Sequence, residues 1–461
     1  MDSQVERKSK LILYHNPIWK GLAILAFPVF LANILKTLHN IVDTMFIGMI
    51  TNETVATEMQ AAIGMTWPIF FIFLSFGMGL SVASNGLIGQ FVGKGDYKNA
   101  KRYSTNSAYL SIILGFVFTA VIFIFAPTIL KWTGVEGNVL EYATIYLRIR
   151  SFEMPAMFLT FAFQAIRQST GDTTTPVIIN SIAIVINIIL TAILILVFQL
   201  GITGAAIATL TGQLIMIPIV IYFLIKANNG ITIKFNMKYV NYPILQKIVK
   251  IALPASSGQS IQAVGFVFLN AMIYSFGTEI VAAFFIGNRI NSLVMFPVSA
   301  VTSIIAIYVA QNIGAGNIAR AKDSVKQGVI VGVLMMVIGI SILLPFRHTI
   351  VSWFSHDDST VANAVQYMFF IGLGLPLMAL FQAFLSTFQG SGETHFSFWL
   401  AVVRLWVFRL PFVWLTMKYT NWGPAGIWYS MLASNVLAAF VGAVFYSRVK
   451  FMPRVKMAKI T

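Results

Sequence analysis

No cysteine occurs in the 461 residues, which excludes disulfides and thiolate metal sites. Charge is scarce as well: charged residues make up 10% of the chain, far below the roughly 25% of an ordinary soluble domain. Acids are scarcer still, fifteen in all, and only Asp43 and Glu153 fall well inside an apolar run. A Walker-type phosphate loop is missing, so the chain does not itself read as an ATP-driven pump. Nor is there an acid pair, a His-Glu metal motif or a nucleophile constellation, which argues against an enzyme. No cofactor and no resident metal are expected.

What is present is hydrophobic: 58% of the chain, in runs that mostly exceed the roughly 20 residues needed to cross hydrocarbon as a helix. Barrel strands would instead show about ten alternating residues each. The chain therefore reads as an all-α membrane protein. Twelve transmembrane helices are expected near 20–49, 61–92, 103–127, 139–166, 175–198, 202–226, 246–276, 280–312, 324–346, 361–389, 395–417 and 423–447. The polar start MDSQVERKSK precedes a run too long and too polar for a cleaved signal, so that run is expected to stay as the first span.

A net charge of +16 could suggest nucleic acid, but the basic residues cluster beside apolar runs, where membrane topology accounts for them. Counting alternate connections gives 22 Lys and Arg on one side against 5 on the other. The rule that basic loops stay inside then puts both termini in the cytoplasm, and a multi-pass protein of the inner membrane is expected.

The chain repeats itself. GQFVGKGDYKNAKR at 89–102 returns as AQNIGAGNIARAKD at 310–323, an offset of 221. STGD, ending at Asp172, returns as GSGE, ending at Glu393, and Pro28 has a counterpart in Pro254. Six helices have been copied and fused. Six being even, both copies enter from the same side, which makes the repeat parallel, with its pseudo-twofold along the membrane normal. The expected organisation is an N-terminal six-helix lobe (1–226), a cytoplasmic linker (227–245) and a C-terminal six-helix lobe (246–461). Two such lobes can expose a shared site to either side by rocking, the architecture of a transporter.

In the stretch ILKTLHNIVDTMFIG, Lys36, His39, Asn40 and Asp43 fall at i, i+3, i+4 and i+7, one helical face. An ionised side chain at the bilayer centre costs at least about 2.5–3.5 kcal/mol, so an intramembrane acid is a functional candidate by default. The bland alternative makes Asp43 a structural partner of Lys36, two turns away. His39 can titrate near neutral pH, although a lone histidine is more often a hydrogen-bonded structural group. On the fifth span Asn180, Asn187 and Thr191 keep helical spacing, able to offer neutral oxygens to Na+ or hydrogen bonds to a protonated acid, or else to join helices. Glu153, next to Pro155 and just after Arg148 and Arg150, reads as half of a local ion pair. Arg289, Arg404 and Arg409 lie inside spans, and with Lys36 they outnumber the intramembrane acids. That balance keeps anionic or zwitterionic substrates open, though Arg289 and Arg404 could equally brace the C-terminal lobe.

The order LAFPVFLANILKTLHNIVDTMFIG, IGQFVGKGDYKNAKR, YLRIRSFEMP, RQSTGDTTTP, GITGAAIAT, IGNRINSL and QNIGAGNIARA resembles the MATE family of multidrug and toxic-compound extrusion proteins, over nearly the whole chain. The resemblance implies a central cleft between two lobes and export of small organic compounds driven by inward H+ or Na+. It is nearer the DinF-like branch than the NorM-like branch. In that branch Asp43 matches the first-helix aspartate, Asn187 the fifth-helix asparagine and Thr209 the sixth-helix threonine. The fifth-helix aspartate of archaeal members falls on Thr191, a departure that leaves one formal carboxylate. H+ is therefore the expected ion over Na+, with Na+ at Asp43 the other possibility, and Pro28 is the expected hinge. A monomer in the bilayer is expected, with no nucleic-acid partner. The rival reading is a lipid-linked oligosaccharide flippase of the same superfamily.

Overall fold

The computed structural model describes residues 10, 12–14, 17–48, 53–226, 231–355 and 357–454, without the side chains of residues 40–44, 47, 48, 53, 54, 56, 57 and 237. The fold is all-α and multi-spanning. Its helices are α1 (Ile18–Gly48), α2 (Glu53–Gly93), α3 (Tyr97–Trp132), α4 (Gly137–Ser151), α5 (Met154–Gln168), α6 (Thr174–Ala192), α7 (Gly201–Ile225) and α8 (Tyr242–Tyr274). They continue with α9 (Thr278–Gly314), α10 (Ile318–Ser352), α11 (Asp358–Ser391), α12 (Thr394–Val402), α13 (Leu410–Tyr419) and α14 (Ala425–Arg448). Short π-helical stretches, Ile193–Val197 and Val403–Arg409, extend α6 and join α12 to α13.

Ten helical segments among the described residues are long and apolar enough to cross a membrane. They cover ten of the twelve stretches expected from the sequence, and the other two have physical reasons to differ. The stretch expected at 139–166 is broken into α4 and α5, each 15 residues long. Pro155, at the start of α5, has no N–H to continue the preceding helix. At the break Arg150 grips the fully buried Glu153 through both carboxylate oxygens, at 2.8 and 3.0 Å, as the spacing suggested. The stretch expected at 246–276 is a single helix of 33 residues, α8, diluted by Lys247, Lys250, Ser256, Ser257, Gln259, Ser260 and Gln262.

The chain sorts into two compact units, and the cuts fall inside helices. One unit gathers Leu31–Ser256; the other gathers Ile12–Phe30 and the chain from Ser257 onward. Helix α1 thus gives its opening half to the C-terminal unit, and α8 gives its opening half to the N-terminal unit. In the N-terminal unit the close approach is made at Gly79 of α2, where an added Cβ would sit 1.9 Å from Ser256 Oγ and 2.7 Å from the Ser256 nitrogen. The core of the C-terminal unit is built on Leu269, Phe284, Tyr367, Met368 and Trp428.

Local structure repeats at the offset seen in the sequence. Asp96 caps α3 by accepting from the Asn99 N–H at 3.1 Å, and Asn317 caps α10 by accepting from the Arg320 N–H at 3.1 Å. Just before each cap Gly95 and Gly316 turn the chain at φ +75° and +76°, in the left-handed region that favours glycine. Ten residues beyond each cap a side-chain amide repeats too. Asn106 accepts from the Asn241 N–H at 2.7 Å, and Gln327 accepts from the Trp19 N–H at 3.0 Å. The side chain of Asn106 also donates to the Tyr239 carbonyl at 3.1 Å, while Lys101 reaches Thr232 at 3.3 Å, so the described end of the linker is held against α3.

Candidate functional site

Beyond Ser181 the polar residues of helix α6 are Asn187 and Thr191, on one buried face. Ile179, Ala183, Asn187, Thr191 and Ile195, a turn apart in sequence, are all buried. Thr191 Oγ1 lies 3.4 Å from Asn187 Oδ1, which brings two of the expected ion-coupling residues together. The Asn187 Nδ2 group is buried and has no hydrogen-bond partner among the described residues. A buried amide with spare capacity is costly unless something else completes it. Opposite stands Gly212 of α7, where an added Cβ would come 3.2 Å from Asn187 Cβ, so the two backbones meet at this asparagine. Thr209, one turn before Gly212, is half-buried and its hydroxyl donates to the Ala205 carbonyl of its own helix at 2.9 Å. Asn180 is half-buried at the other end of the face.

Helix α1 runs without a break through residue 48, so Lys36, His39, Asn40 and Asp43 do share one face. The Lys36 side chain is exposed and His39 is half-buried. The side chains of Asn40 and Asp43 lie outside the described residues. Pro28 stands within the helix, ten residues into it. No group of three or more His, Asp or Glu residues suited to a metal ion occurs among the described residues.

In the C-terminal unit Arg289 and Arg404 part company. Arg289 is exposed on α9, whereas Arg404, in the π-helical stretch, is 4% exposed. Its guanidinium lies over the Phe381 ring at 4.2 Å and reaches Met378 Sδ at 2.9 Å and Gln262 Oε1 at 3.3 Å. Arg409, 6% exposed, donates to Ser434 Oγ at 3.0 Å and Asn435 Oδ1 at 2.7 Å. Sequence spacing could not have found these partners, which come from other helices.

The MatE family model matches residues 28–193 and 254–415, one match in each half of the chain. "Probable multidrug resistance protein YoeA" of Bacillus subtilis (strain 168) is 25% identical over 437 residues, covering 93% of both chains. "Multidrug export protein MepA" of Staphylococcus haemolyticus (strain JCSC1435) is 26% identical over 439 residues, covering 92% of both. Among solved structures, an outward-facing conformation of a multidrug resistance MATE family transporter of the MOP superfamily superposes with a TM-score of 0.88 at 22% identity, covering 95% of this chain and 97% of that one.

Proposed function

We propose, from the premise that this chain belongs to the MatE family, that it is a cation-coupled multidrug efflux antiporter of the DinF-like branch. It exports amphipathic organic compounds by alternating access between two six-helix lobes, 1–226 and 246–461. The twelve spans of this reading count α4 with α5 as one interrupted crossing and α8 as another. Both termini and the linker 227–245 are cytoplasmic, since the basic residues concentrate there.

The observation that carries the coupling role is the buried Asn187–Thr191 pair, whose amide is left incomplete. Asp43 supplies the changing charge, and Asn187, Thr191 and Thr209 supply neutral hydrogen-bonding groups around it, with Lys36, His39, Asn40 and Asn180 as neighbours. A single carboxylate carries a positive charge most simply by taking up a proton, which favours H+ over Na+. Protonation shifts the balance between inward- and outward-open states by as much as the two states differ in proton affinity. The bend at Pro28 transmits that shift along α1. A monomer suffices for this cycle. Uptake by proteoliposomes under an imposed proton gradient, and separately a sodium gradient, tests the reading. Drug movement under the proton gradient alone is expected, and movement under neither would overturn it.

A further inference from the structure

We propose that Arg404 and Arg409 form an anion site within the C-terminal unit, one that takes the carboxylate or phosphate end of an amphipathic organic molecule. Burying a guanidinium costs several kcal/mol unless an opposite charge or a full set of acceptors replaces water. Here two are buried five residues apart, and the described residues of the unit offer them no carboxylate. Its acids are Glu279, Asp323, Asp357, Asp358 and Glu393. The first four are exposed, in or beside the first two turns of their helices. Glu393 is taken by Arg454 at 2.8 Å and by the Lys450 N–H at 3.1 Å. The neutralising charge has to be brought in.

Arg404 is built to receive it. Its Nε is buried with no hydrogen-bond partner among the described residues, and the rest of its guanidinium meets a thioether, a weak acceptor, and an amide oxygen at 3.3 Å. A guanidinium fork so weakly used is the geometry that a planar oxyanion fills with two parallel bonds. Phe381 beneath it and the neighbouring Met378 suit an apolar body attached to that anion. The backbone itself is irregular: the two arginines bound a π-helical turn, a feature that concentrates at functional sites.

The internal repeat sharpens the contrast. At the offset of 221, Arg404 corresponds to Ala183, on the buried face of α6 that carries Asn187 and Thr191. One copy of the repeat thus turns neutral oxygens inward, and the other turns cationic donors. At the same offset Asn187 and Thr191 correspond to Phe408 and Phe412, and Arg409 to Ile188, so each copy carries its polar groups at positions that are apolar in the other. An exported compound bearing a carboxylate or phosphate would be bound by the C-terminal unit. This role in export rests on the antiporter reading, but the binding does not.

The test uses the full-length protein in phosphatidylcholine nanodiscs, with 1-naphthoate, 1-naphthyl phosphate and 1-naphthylmethylammonium as probes of one ring and two signs of charge. Both anions should raise the thermal midpoint saturably, and the cation should not. Arg404→Gln should weaken naphthoate binding by about tenfold or more, the loss of one charge-assisted contact, with Arg404→Lys intermediate. Adding phosphatidate to the discs separates two sources of the same chemistry. Loss of the naphthoate shift would assign the site to a lipid headgroup, and its persistence to a free organic anion. Equal shifts from all three probes, or native affinity in Arg404→Gln, would overturn the proposal. Should Arg404→Gln fail to fold, the comparison of anion with cation in the native protein decides it. Absent drug transport with anion binding intact would sink the antiporter reading and leave this site standing.

Discussion

Pro28 and Pro254 hold the same place in the two copies of the repeat: each stands two residues before the last residue its helix gives to one compact unit, Phe30 in α1 and Ser256 in α8. Neither can donate a backbone hydrogen bond, so the carbonyls of Ile24 and Lys250 lose their helical partners and each helix can bend there. Pro28→Ala should slow drug efflux while leaving expression and the thermal midpoint intact, and Pro254→Ala should do the same. Unchanged turnover in both would show that the bends are incidental.

Asp43→Asn should abolish gradient-driven efflux. The amide is nearly the same size and removes a charge instead of stranding one, so the protein should still fold and reach the membrane. Normal export by this variant in a dye-efflux assay would refute the coupling role.

Thr191 is fully buried beside Asn187, and a carboxylate placed there would join the same polar face. Thr191→Asp should create a second acid whose repulsion from Asp43 is relieved when a cation bridges the two. The expected outcome is sodium-dependent protection against thermal unfolding that the native protein lacks. Strong sodium protection of the native protein, lost in Asp43→Asn, would reverse the choice of ion.

Gly79→Ala must push α2 away from α8, because the added Cβ meets backbone atoms of Ser256 and Ala252 inside 3 Å. A loss of about 1–3 kcal/mol is expected for such overpacking, read as a lowered thermal midpoint. Gly64→Ala is the control, since nothing lies within 4 Å of its added Cβ.

Arg150→Met leaves the carboxylate of Glu153 buried without its partner, and breaking a buried pair from one side costs about 3–5 kcal/mol. Glu153→Gln should cost less, because Arg150 is partly exposed and also lies over the Phe70 ring at 4.3 Å. Denaturation in a fixed detergent ranks the two. The reverse order would mean that the break between α4 and α5 depends on the arginine alone.

Features carried by neighbouring residues were legible in the sequence. The caps at Asp96 and Asn317 and the turns at Gly95 and Gly316 follow from a few adjacent residues, which is why the repeat at 221 reappears in the hydrogen bonds. The face of α6 was legible from helical spacing, and the Arg150–Glu153 pair from a separation of three. Long-range relations were not. Gln262 lies 142 residues from the arginine it touches, and no local pattern marks it. The break before Pro155 went unseen because a proline alone does not say whether a span bends or stops. The passage of α1 and α8 from unit to unit depends on packing that hydropathy does not record.

That passage has a consequence for how the protein came to be one chain. Each copy of the repeat lends the opening half of its first helix to the fold of the other, with Gln327 accepting from the start of α1 and Asn106 from the residue just before α8. Were the copies separate polypeptides, the assembly would be a domain-swapped dimer in which neither partner is complete by itself. Fusion through the linker turned an exchange between molecules into one within a molecule, and it fixed which half-helix each unit receives. The two copies now differ on these helices, with Asn187 and Thr191 in one and Arg404 and Arg409 in the other.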